Sequence, residues 1–168
     1  MTKKINKAFV EKWAGRYDPM VDAPVLRDVH PAVHDRGYFT KAEGEAVMKW
    51  KSNRTLPLFQ ENAEDDVEAI TTMALGGPDR LAHRVLRLLR GVGNPVASAF
   101  LTVADPTRFT VVDFRAIRAL QQHGEQVADD PYYREYVDLC ASIARRCETD
   151  LRTLDRALWQ YDKATNGK

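Results

Sequence analysis

The chain of 168 residues has only two cysteines, Cys140 and Cys147, and almost no excess of charge, with 25 Lys and Arg against 24 Asp and Glu for a net +1. Seven positions apart on one expected helix, the cysteines share a face but cannot close a normal disulfide, so reduced thiols packed in a helix are expected. The near-neutral balance excludes a uniformly basic surface, and any footprint on a polyanion must come from how the arginines and lysines are distributed. No long apolar run is present, which excludes a membrane-spanning helix. Residues 1–7 lack the apolar stretch of a signal peptide, and the cytoplasm is the expected location. Internal repeats and low-complexity segments are also missing.

What is there is helical periodicity. Apolar residues make up 44% and charged residues 29%, as in a soluble globular protein. The length suits one domain over 1–168 with a real core, or two small lobes sharing a cleft. The apolar period predicts helices over 4–15, 40–52, 64–75, 79–90, 95–104, 114–123, 131–147 and 149–161. Thr40 and Glu43 fit a capping box for the second of these. The only extended candidate, 109–112, is too short and unpartnered for a sheet, so the expected class is all-α. Between 18 and 38, Pro19, Pro24, Pro31 and Gly37 predict a long loop or a pair of short turns, near which Tyr17, His30 or His34 can line a pocket. His30 and His34 stand four apart, but Pro31 argues against a metal-bearing helix face and no third ligand suggests itself. No metal is expected there.

The most informative stretch is 86–118. Leu81, Val85, Leu88 and Leu89 recur at helical spacing, Gly91 ends that helix, and Pro95 suits the first turn of the next. Ala97, Ser98 and Ala99 let the second helix approach a neighbour closely. Gly91-Val92-Gly93 is therefore a short bend between two helices, the whole unit spanning 79–104. Its glycines expose successive backbone N–H groups which, with the positive end of the following helix, suit a phosphodiester. A tight turn with no ligand has the same signature. Further on, Asp113 opens the helix over 113–123, and Asp is a common N-cap before an apolar run. Capping and chemistry are compatible, because a capping carboxylate is held rigidly.

LRGVGNPVASAFL, followed by Val112, Asp113 and Arg118, resembles the helix-hairpin-helix element and catalytic aspartate of the endonuclease III (HhH-GPD) superfamily of DNA glycosylases. Leu89, Gly91, Val92, Gly93 and Ala97 fit its hairpin, and the separation from Gly93 to Asp113 is the one the family uses. The resemblance is strong over 86–118 and implies a compact, helical, two-lobe domain, a monomer that acts on double-stranded DNA with an extruded base. It implies backbone contacts from Arg87, Arg90, Gly91, Val92, Gly93 and Asn94, with Arg115 and Arg118 beside the aspartate. Asp113 would stabilise positive charge on the deoxyribose as the N-glycosidic bond breaks, and orient or deprotonate the attacking water. Pro95 stands where strand-cleaving members carry a lysine, so base release without lyase activity is implied. Arg115 replaces a frequent histidine. Two cysteines cannot hold the iron–sulfur cluster of many members, and no cofactor is expected beyond a monovalent cation at the hairpin.

Extrusion of a base needs a side chain to fill the gap. Ser52-Asn53-Arg54-Thr55 is similar to the turn from which family members insert a residue, making Asn53 or Arg54 the candidate, although a plain polar loop reads the same way. Arg80, Arg84 and Arg87 follow one another at helical spacing, Lys49 and Lys51 flank the turn, and each is also a solvated helix face when taken alone. Tyr132, Tyr133, Tyr136, Trp159 and Tyr161 can stack on a base or pack a core. An alkylated, deaminated or bulky base, including those some bacteriophages carry, is the expected substrate, and DNA binding would place the protein at the nucleoid. The rivals are a non-catalytic helix-hairpin-helix DNA-binding protein, which has no need of Asp113, and a helical interaction domain without DNA affinity.

Overall fold

A computed structural model describes residues 2–167. Among them every regular element is helical, and the chain divides into two compact units, Pro19–Pro106 and a second formed by Met1–Asp18 with Thr107–Lys168. No helix of the described residues is long and apolar enough to cross a membrane.

The unit Pro19–Pro106 comes after α1 (Lys7–Ala14) in the chain and holds α2 (Ala23–Leu26), α3 (His30–Arg36), α4 (Lys41–Lys51), a 3-10 turn (Asn53–Thr55), α5 (Leu56–Gln60), α6 (Glu64–Gly76), α7 (Asp79–Leu86) and α8 (Asn94–Ala104). Here the loop expected between 18 and 38 is mostly helix. Pro24 and Pro31 lie in the first turns of α2 and α3, where a missing N–H breaks no hydrogen bond, and Gly37 ends α3 at φ +85. Proline marks helix starts in this segment rather than their absence.

The centre of this unit is α8, in which every residue from Val96 to Ala104 is buried and on which α3, α4 and α7 pack. A helix apolar on all sides belongs in the middle of a core. Its hydroxyls are satisfied locally, Ser98 donating to the Pro95 carbonyl at 2.6 Å and Thr102 to that of Ser98 at 2.8 Å. Around it Phe39, Phe59 and Phe100 are fully buried, with the Phe100 ring 4.9 Å from Phe39 and 5.9 Å from Phe59. Helix α4 reaches this cluster through Gly44, where a Cβ would stand 2.5 Å from Phe59 Cζ. The expected capping box opens α4: Glu43 N–H donates to Thr40 Oγ1 at 3.2 Å, and Thr40 N–H to Glu43 Oε2 at 2.8 Å.

The other unit contains α1, α9 (Phe114–Gln122), α10 (Tyr133–Arg146) and α11 (Leu151–Asn166), and α11 packs against each of the other three. Residues 109–112 are buried and lie outside any helix or strand. Tyrosines on α10 take the place of a partner strand: Tyr133 donates its hydroxyl to the Thr110 carbonyl at 2.9 Å, and Tyr136 to that of Val111 at 3.2 Å. Cys140 and Cys147 are buried free thiols.

Candidate functional site

Helix α7 ends at Leu86 rather than running on to residue 90. The N–H groups of Leu88 and Leu89 then bond three residues back, to Val85 and Leu86, both at 3.1 Å. This tightening turns Leu89 into the core at 2% exposure and Leu88 outward at 68%. At Gly91 the chain takes φ +79, and a Cβ there would lie 2.8 Å from both the Thr55 carbonyl oxygen and the Phe59 nitrogen. Conformation and space each demand glycine at that position.

Gly93 differs on both counts. Its φ of −97 and ψ of −169 are open to any residue, and nothing stands within 4 Å of an added Cβ. The side chain of Val92 is buried and its N–H donates to the Leu89 carbonyl at 3.3 Å, whereas the N–H groups of Gly91 and Gly93 make no hydrogen bond among the described residues. Asn94 begins α8, and its carbonyl is held by His83 Nε2 at 2.9 Å.

Exposed arginines stand on the elements that precede the bend in the chain. Arg54, Arg80, Arg84 and Arg87 are exposed and have no acidic partner among the described residues, while Arg90 pairs with Glu61 at 2.9 Å. Asn53 and Arg54, the candidates for insertion, are exposed in the 3-10 turn whose last carbonyl, that of Thr55, backs Gly91. The bend and the turn that carries these candidates are thus neighbours within one unit.

In the other unit Asp113 is the N-cap of α9, its Oδ1 accepting the Ala116 N–H at 2.9 Å, and it is 8% exposed. Phe114, next to it, is 63% exposed. Arg115 and Arg118 turn to a common carboxylate: Arg118 grips Asp162 with Nε at 2.6 Å and Nη2 at 2.7 Å, and Arg115 Nη1 donates to it at 3.0 Å and to the Gly167 carbonyl at 2.9 Å. Asp162 is fully buried. Burial works to raise its pKa, yet hydrogen bonds from Arg118, Asn166 and Arg115 prevail and hold the carboxyl below its ordinary value. Burial also pushes the Tyr133 and Tyr136 hydroxyls well above the ordinary tyrosine value, so both stay neutral donors to the segment before Asp113.

Two important side chains escaped the sequence reading. Asn62 pins the hairpin: its Oδ1 accepts the Arg90 N–H at 3.0 Å, and its Nδ2 donates to the carbonyls of Arg90 at 3.1 Å and Phe59 at 2.8 Å. Nothing in its neighbourhood along the chain signals that long-range role. Asp162 did leave a trace, since it continues the buried stripe of Leu151, Leu154 and Leu158 on α11 and a carboxylate in that register requires a cationic partner. No family model matches the chain, no curated protein matches it, and no solved structure matches it.

Proposed function

We propose that the protein is a monofunctional DNA glycosylase of the HhH-GPD type, with a helical two-lobe fold of that class, which holds an extruded alkylated, deaminated or bulky modified nucleotide and hydrolyses its N-glycosidic bond. The supporting observation is the contrast between the two hairpin glycines. Gly91 is glycine for reasons internal to the fold; Gly93 has none, and at the start of α8 it carries an N–H without a partner among the described residues, in a unit whose exposed Arg54, Arg80, Arg84 and Arg87 have no acidic partner among those residues either. A phosphodiester supplies what that arrangement lacks, an acceptor for the amide and negative charge for the helix end and guanidiniums.

Asp113 serves as the carboxylate facing the sugar. Its cap bond to Ala116 fixes the side chain, and the neutral tyrosine donors fix the backbone leading to it. Cleavage leaves the base as a departing anion or its protonated form, water adds to the anomeric carbon, and the product is an abasic site. With Pro95 after the hairpin there is no amine at that position for Schiff-base chemistry.

The low exposure of Asp113 favours a second reading, a module that holds DNA without cutting the glycosidic bond. One experiment separates the two. Duplexes bearing a panel of damaged and phage-type modified bases are incubated with wild type and with Asp113→Asn, and abasic sites are revealed with alkali. Base release by wild type alone, with binding retained in the variant, supports the enzyme. Salt-dependent binding with no release from any duplex supports the module, and no binding at all removes both.

A further inference from the structure

We propose that His30 and His34 form a two-histidine site for a first-row transition-metal dication of the zinc or nickel type. The inference is independent of the DNA reading. Because Pro31 opens α3 instead of breaking it, the two histidines lie one turn apart on a single helix face. Each ring is anchored through Nδ1 to the carboxyl end of α8: His30 Nδ1 is 2.6 Å from the Val103 carbonyl oxygen, and His34 Nδ1 is 3.3 Å from that of Ala104. A carbonyl oxygen can only accept, so the neutral imidazoles carry their proton on Nδ1 and keep the lone pair on Nε2. This is the tautomer a metal ion requires, and a backbone carbonyl on the opposite nitrogen is a common support for a metal-bound histidine.

Ring spacing agrees with a shared ion. The centroids are 5.2 Å apart with the planes at 43°. An ion ~2.0–2.1 Å from each Nε2 at a tetrahedral angle places the ring centres about 5 Å apart. With Nδ1 turned to a carbonyl of α8, each imidazole has its Nε2 on the opposite flank of its own ring. Among the described residues no cluster of three or more ligating side chains exists, so water or an external donor completes the coordination. Such a site is open and exchanges its ion readily. Two neutral imidazoles favour zinc, nickel or copper over magnesium or calcium, which seek oxygen donors.

The test uses the full chain, stripped with a chelator and titrated calorimetrically with zinc chloride, nickel chloride and magnesium chloride. One zinc or nickel ion per chain is expected, with no magnesium signal. Long-range proton–nitrogen spectra should show zinc moving the Nε2 resonances of His30 and His34 and leaving those of His83 and His123 in place. His34 is exposed, so His34→Ala retains the fold, which far-ultraviolet circular dichroism checks, and should weaken binding about tenfold or more. His30→Gln should do the same. Absence of stoichiometric zinc or nickel binding, unchanged affinity in folded His34→Ala, or resonance shifts confined to the other histidines would each overturn the assignment.

Discussion

Substituting alanine at each hairpin glycine in turn should separate what holds the bend from what the bend is for. At Gly91 the alanine must adopt a left-handed conformation at φ +79, which costs about 1–2 kcal/mol. Its Cβ also meets the Thr55 oxygen and Phe59 nitrogen at 2.8 Å. Both are main-chain atoms, so no rotamer change relieves the contact, and shifting packed backbone adds about 1–3 kcal/mol. Restricting the unfolded chain returns up to about 1 kcal/mol. The net loss is about 1–5 kcal/mol, a fall of roughly 2–20 °C in Tm for a chain of this size.

Gly93→Ala meets neither obstacle and should stay within about 0.5 kcal/mol of wild type. Its methyl group nevertheless projects beside the amide proposed to face a phosphate, and duplex binding should fall about tenfold or more. Urea unfolding followed at 222 nm gives the stabilities, and fluorescence anisotropy at fixed salt gives the affinities. Gly91→Ala as stable as wild type would refute the packing argument. A stable Gly93→Ala that binds duplex unchanged would refute the proposed grip.

Asp162→Asn leaves Arg115 and Arg118 without their shared carboxylate and should destabilise by about 2–3 kcal/mol, less than a wholly buried pair because both guanidiniums keep an edge in solvent. The wild-type carboxyl sits below its unfolded value of about 3.9, so its contribution is complete above that pH and disappears as the pH falls through the lower folded value; acid melts of the variant should lack that part of the decline. Burial raises the Cys140 thiol to about 12, so a thiol reagent at pH 8 should modify it only at the rate of unfolding, as mass spectrometry after timed quenching can show.

How much of this was legible depended on range. Helices over 40–52, 64–75 and 95–104 were readable because their apolar periods are local and their caps lie within a few residues, as Thr40 and Glu43 illustrate. Asp113 as an N-cap was legible for the same reason. The segment from 18 to 38 misled because proline is taken as a loop signal although it equally suits a first helical turn. Arg115 and Arg118 drew attention as cations beside Asp113, but their partner lies on α11, more than forty positions away, where only tertiary packing brings it close. Asn62 was invisible on the same ground.

The grip of Asn62 on Arg90 has a thermodynamic corollary. With one flank tied to the end of α5 and the other continuing into a fully enclosed helix, the bend has few alternative conformations to surrender when an anion docks. Association at this point should therefore be governed by ion displacement and surface charge rather than by ordering of the loop. If the bend binds phosphate as proposed, Asn62→Ala would make it a site that must first be assembled.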